Sequence, residues 1–147
     1  MKYILLDFDG VLTSESWTRQ CIFECRRENM FGLDWFDPGC LRALQTIVDA
    51  TGAGIVVSSS WRELGDDNLQ MLWAFTPMPG RFLGTTPIWI LTKREAIEEW
   101  IHKHQEDRYV ILDDQDLHFP RQIQTNPEVG LTMEDARKAI EILNHNE

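Results

Sequence analysis

The apolar residues fall into short unbroken runs, separated by stretches in which they recur every three or four positions. Tyr3-Ile4-Leu5-Leu6, Ile55-Val56-Val57 and Tyr109-Val110-Ile111-Leu112 are continuous runs. A strand with one wet face alternates apolar and polar side chains, whereas an unbroken run suits a strand covered on both faces. Leu41, Leu44, Ile47 and Val48 recur at helical spacing, as do Ala96, Ile97, Trp100 and Ile101, and later Ala136, Ala139, Ile140 and Leu143.

Local signals bound these elements. Asp37-Pro38 reads as a helix cap and first turn, and Thr51-Gly52 as the end of that helix. Thr92 caps a helix from Lys93 to about His104, and Thr132 with Asp135 resembles a capping box. Leu64 to Phe75 reads as a helix whose start Gly65 leaves open, and Pro77-Met78-Pro79-Gly80 is a break. Pro87 to Leu91 and Phe119 to Gln124 predict two short strands. Strands and helices in alternation predict an α/β fold, a three-layer Rossmann-like parallel sheet with helices on both faces.

The 147 residues, 43% hydrophobic and 26% charged, suit a single soluble domain spanning 1–147. No apolar run approaches the ~20 residues that cross a bilayer, and Lys2 is followed by neither a long apolar stretch nor a cleavage site. A cytoplasmic location is the default expectation. Cys21, Cys25 and Cys40 form no CxxC pair, so neither a disulfide framework nor a zinc site is expected. The net charge of −10 argues against tracking an extended nucleic-acid backbone, but not against holding a single phosphate.

Chemistry concentrates where the apolar runs end: Asp7 after the first, Ser58 after the second, Asp113-Asp114 after the third. Ligands of open parallel sheets bind outside the carboxyl ends of the strands, so these residues are expected to converge. In Asp7-Phe8-Asp9-Gly10, side chains two apart on an extended segment share a side, and a hard divalent cation would hold both carboxylates together. Gly10 permits a sharp turn and close approach of backbone to a ligand.

Asp7 through Thr13 resembles the first motif of the haloacid dehalogenase (HAD) superfamily, and Ser58, Lys93 and Asp113-Asp114 resemble its second, third and fourth. The resemblance implies an aspartyl-phosphate mechanism. Asp7 is then the nucleophile and Asp9 the general acid and base. Ser58 and nearby amides bind the phosphoryl group, and Lys93 offsets negative charge. Mg²⁺ sits on the Asp7 carboxylate, the Asp9 carbonyl and Asp114, with Asp113 as a further ligand or support. Ser59 replaces Ser58 if the strand runs one residue further, and Arg94 is the alternative to Lys93. Arg62 either grips a second phosphate or a sugar or forms a surface salt bridge.

Ser58 through Arg62, the Ala96–Ile101 helix and the tail from Thr125-Asn126-Pro127 to Thr132 resemble one branch, the HAD domain of "Swiss Army Knife" RNA repair proteins. This implies a phosphorylated substrate, with an RNA or DNA end as one candidate. Cleavage of carbon–halogen bonds, a non-catalytic phosphate-binding role, and small phosphometabolites or phosphoprotein as substrates are the competing readings.

Neither interval between motifs has room for a large cap. An essentially capless enzyme is expected, with an irregular flap at about 14–36 carrying Trp17, Arg19, Phe23, Arg26, Arg27, Phe31, Trp35 and Phe36. Those aromatics either stack bases or anchor the flap, and the interspersed acids favour anchoring. Trp61 reads as core, and His102 and His104 as a solvated helix end.

Overall fold

The computed structural model describes residues 1–23, 36–58, 62, 64–87, 92–105 and 107–145. Its strands are β1 (Lys2–Leu6), β2 (Gly54–Val57), β3 (Phe82–Thr85), β4 (Arg108–Asp113) and β5 (Gln122–Gln124). They form one parallel sheet in the order β3-β2-β1-β4-β5. The chain builds outward from β1 to β3, then crosses back to place β4 on the other side of β1. That reversal opens the crevice in which α/β proteins bind ligands.

Register explains the unbroken apolar runs. Leu5 lies level with Val56 and Ile111, and these three pack on one face with Ile97 and Trp100 of α4 (Lys93–Lys103). Ile4, Leu6, Ile55, Val57, Val110 and Leu112 point the other way. There they meet Leu44 and Ile47 of α2 (Pro38–Thr51), Leu69 of α3 (Asp66–Phe75), and Ala136, Ala139 and Leu143 of α5 (Met133–Asn144). Every residue of these runs is therefore consumed by a core, and each fully buried Leu or Ile contributes about 1.5–3 kcal/mol.

The expected caps are present. The Asp37 carboxylate accepts from Gly39 N–H, the Thr92 hydroxyl accepts from Glu95 N–H, and Thr132 and Asp135 make a reciprocal capping box.

Two expectations need correction, and one strand is added. Phe82–Thr85 is a strand that the apolar pattern does not announce, while the expected strand at Pro87–Leu91 falls on residues of which 88–91 lie outside those described. This edge strand is half exposed and holds Gly84 within it, and its pairing with β2 shifts register between Ile55 and Val56, so no apolar run marks it. The segment after Ser14 is not irregular at its start: it forms α1 (Glu15–Phe23). The Ser14 hydroxyl accepts from Trp17 N–H and caps it, and Glu15 suits the positive end of the helix dipole. His104 is not a solvated end but stacks on Trp100 at 4.0 Å.

Both ends of the insertion are held. Ser14 Oγ donates to Asp37 Oδ2 (2.8 Å), Asp37 N–H donates to Leu12 O (2.8 Å), and Phe36 packs edge-on against Phe8. Phe36 thus anchors, whereas Phe23 is 89% exposed. Arg26, Arg27, Phe31 and Trp35 lie outside the described residues, as do Cys25 and Trp61. No described helix is long and apolar enough to cross a membrane.

Candidate active site

Asp7 follows β1 directly, and its N–H donates to Leu112 O (3.0 Å), which extends the β1–β4 ladder one residue past the strand. Its side chain is thereby delivered to the end of β4, where Asp113 and Asp114 stand. Ligand oxygens of Asp7, Asp113 and Asp114 all lie within 4.8 Å of one another. Lys93, the first residue of α4, reaches into this group: Nζ lies 3.0 Å from Asp113 Oδ2 and 3.5 Å from Asp7 Oδ2. Arg94 turns away, pairing with Glu98 and lying over the Phe119 ring.

Three carboxylates against one ammonium leave excess negative charge in a buried place. Burial is the main reason that the Asp7 pKa is pushed up to about 7. Asp113 adds to the rise, Lys93 opposes it, and Asp114 and Asp9 contribute less. Burial also raises Asp113, against the pull of the Gln115 N–H on Oδ1 and of Lys93. For Lys93, burial works against the charge, but Asp7 and Asp113 outweigh it and its pKa rises.

Immediately after Asp7 the chain turns. The N–H groups of Val11, Leu12 and Thr13 all converge on Phe8 O, and Gly10 adopts φ +81°. A Cβ at Gly10 would lie 2.4 Å from Asp114 Oδ2, so a bare backbone is what lets this carboxylate lie across the turn. Gly10→Ala is expected to displace Asp114 and weaken divalent-cation affinity at least tenfold, as read by calorimetric titration. Unchanged affinity would mean Asp114 takes no part in holding a cation.

The turn also changes the expectation for Asp9. Phe8 is buried as expected, but the bonds onto Phe8 O turn the chain there, so the two-apart rule for an extended segment does not carry over to Asp9. The Asp9 side chain is exposed and stands outside the Asp7–Asp113–Asp114 group. It faces a cavity of about 460 Å³ lined also by Gly10, Thr13, Thr18, Arg19 and Asp114.

Ser58 follows β2, its N–H donating to Leu6 O (2.9 Å). Its hydroxyl is fully buried and has no hydrogen-bond partner among the described residues. Ser59 lies outside them. Arg62 makes no surface salt bridge among the described residues: Nη1 donates to Ser58 O (3.1 Å).

A family model described as the HAD domain in Swiss Army Knife RNA repair proteins matches residues 3–136. The chain belongs to this family. No curated protein and no solved structure matched it. Membership points to phosphatase-type chemistry on a phosphorylated substrate in the setting of RNA repair, within a superfamily that generally uses Mg²⁺.

In this HAD domain, sequence reasoning found three of five polar strand ends. The others are Thr86, after β3, and Thr125, after β5. Thr125 N–H donates to Asp113 O (3.0 Å) and its hydroxyl to Gly10 O (2.7 Å), so it fixes the turn against the acidic pair. Its signal was available, since Thr125 directly follows the expected strand ending at Gln124.

Proposed function

We propose that the protein hydrolyses phosphate monoesters through an aspartyl-phosphate on Asp7. The observation that carries this reading is the Asp7–Asp113–Asp114 group bridged by Lys93 at the β1–β4 crevice. An all-oxygen, anionic donor set with one compensating ammonium fits a hard divalent cation such as Mg²⁺. Asp7 and Asp114 would hold it with the Asp9 carbonyl, and Asp113 would ligate or support them. Bound there, the cation supplies charge neutralisation for carboxylates and phosphoryl oxygens alike.

The chain's own groups do the rest. Asp7 attacks phosphorus as its carboxylate, the form that Lys93 favours. The bond to the leaving oxygen breaks, and Asp9 protonates that oxygen from the open side of the site. Asp9 then takes a proton from the water that attacks the aspartyl-phosphate, releasing inorganic phosphate and restoring Asp7. The Ser58 hydroxyl, buried and unpartnered, donates to a phosphoryl oxygen, and Gly10 leaves room for backbone amides to approach. Lys93 keeps the nucleophile and the incoming phosphate from repelling each other. Phosphoryl transfer depends mainly on such positioning and charge stabilisation.

A strand end is the substrate best suited to the RNA repair family. The test is phosphate release from a panel: p-nitrophenyl phosphate, 3′- and 5′-phosphorylated oligonucleotides, a sugar phosphate and a phosphopeptide. Turnover is expected with Mg²⁺, absent with EDTA, and fastest on an oligonucleotide. Activity indifferent to EDTA, or none on any substrate, refutes the proposal.

A further inference from the structure

Three buried side-chain atoms have no hydrogen-bond partner among the described residues: Ser58 Oγ, Arg62 Nε and Thr86 Oγ1. They belong to one neighbourhood at the carboxyl ends of β2 and β3. Thr86 N–H donates to Val57 O (3.0 Å), and Arg62 Nη1 donates to Ser58 O (3.1 Å). Leaving a buried polar group unpaired costs about 1–3 kcal/mol, so three together call for a ligand. All three can donate, and Arg62 Nε can only donate, so the ligand must bring acceptor oxygens.

Ser58 is accounted for by the phosphoryl group on Asp7. Thr86 is not. It bonds Val57, which stands level with Leu6, and so Thr86 is aligned with Asp7 but two strands away. Arg62 and Thr86 line a cavity whose described lining includes none of Asp7, Ser58 and Lys93, so a phosphoryl group on Asp7 does not fill it.

The two flanks of the crevice differ in charge. On one, Asp9, Glu15 and Asp114 line the cavity, and Arg19 is already paired with Glu128. A second anion is repelled there. On the other, Arg62 and Thr86 line a cavity of about 850 Å³ with Asp66 as the acid among its described lining residues, while Lys103, near Met1 and Tyr3 at its far end, is paired with Glu99.

We infer that Arg62 and Thr86 form a subsite for a second phosphate group, carried by the substrate beside the one that is cleaved. This subsite rests on the hydrolase reading above and narrows its substrate class. The second phosphate comes either from the neighbouring phosphodiester of a nucleic-acid end or from a small bisphosphate.

The experiment compares wild type, Thr86→Val, Thr86→Ser and Arg62→Gln with Mg²⁺ present. Substrates are p-nitrophenyl phosphate, a nucleoside 3′,5′-bisphosphate, and trinucleotides with a terminal 3′- or 5′-phosphate. Each trinucleotide is also made with a neutral methylphosphonate at the neighbouring linkage. Thr86→Val and Arg62→Gln are expected to lower kcat/KM on a second-phosphate substrate, relative to the aryl phosphate, by about tenfold through KM. Thr86→Ser restores the ratio, and Thr86→Val melts no lower than wild type because the lost hydroxyl had no partner. A trinucleotide effect that the methylphosphonate reproduces in wild type identifies the phosphodiester; an effect on the bisphosphate alone identifies the small molecule. An unchanged ratio for both variants overturns the subsite. If wild type turns over nothing, the hydrolase reading falls, and anisotropy of a labelled trinucleotide decides the subsite. Binding weakened tenfold by Thr86→Val retains it, and unchanged binding overturns it.

Discussion

Asp7→Asn is expected to abolish metal-dependent phosphate release, by a factor on the order of 10³ or more, while raising the melting temperature of the metal-free protein at pH 8. Both effects come from the same carboxylate. As an amide the side chain is no nucleophile, but it also stops contributing a negative charge to a buried, crowded group. The Asp7 pKa of about 7 in the folded chain lies above the ordinary value of 3.8. Below pH ~4 the group is protonated in both states and costs nothing. As pH rises from 4 to 7 the unfolded chain ionises first, so the metal-free wild type loses stability over that interval and levels off above it. Asp7→Asn escapes the loss. Its advantage at pH 8 is up to about 4 kcal/mol, on the order of ten degrees for a domain of this size. Thermal scans in EDTA at pH 4, 6 and 8 read it directly: curves for the two proteins that diverge as pH rises support the account. Parallel curves would show that Asp7 carries no such burden.

Lys93→Met is expected to do the opposite to stability and equal harm to activity. Lys93 is the cation between Asp7 and fully buried Asp113, each otherwise supported by one backbone N–H, from Phe8 and from Gln115. Removing one partner of a buried pair leaves the other charge uncompensated, which costs about 3–5 kcal/mol in closed sites and somewhat less here, where the Lys93 side chain is 22% exposed. Metal-free Lys93→Met should therefore melt well below wild type at pH 8, recover part of the deficit in Mg²⁺, and hydrolyse phosphate at least 10²-fold more slowly. A variant that is as stable and as active as wild type would remove Lys93 from the site. Arg94→Met is the control, since that side chain is committed to Glu98 and Phe119.

How much of this was legible in the sequence depended on how deeply each element is buried. β1, β2 and β4 occupy the centre of the sheet with a core on each face, so their runs are unbroken and their polar ends stood out. β3 lies at the edge, half exposed and interrupted by Gly84, so no apolar run announces it in the sequence. Thr86 is hidden with it, because a strand end is visible only when the strand is. The Asp9 side chain is hard to place from sequence for a different reason. Its spacing from Asp7 is that of a strand, but the bonds onto Phe8 O turn the chain before the alternation can act. α1 has a modest apolar face and begins on a side-chain cap, a signal that the aromatic and charged mixture around it obscured.

The turn after Asp7 is completed from the far end of the chain: Thr125 bonds Gly10 O, Leu131 N–H bonds Val11 O, and Glu15 N–H bonds Pro127 O. The first loop therefore waits on residues more than a hundred positions further along. A nascent polypeptide that has emerged as far as Asp114 already owns every acidic group of the cluster, yet lacks the bonds from residues 125–131 that fix its first loop. The geometry of the acidic group is thus a product of long-range closure and not of local turn signals alone.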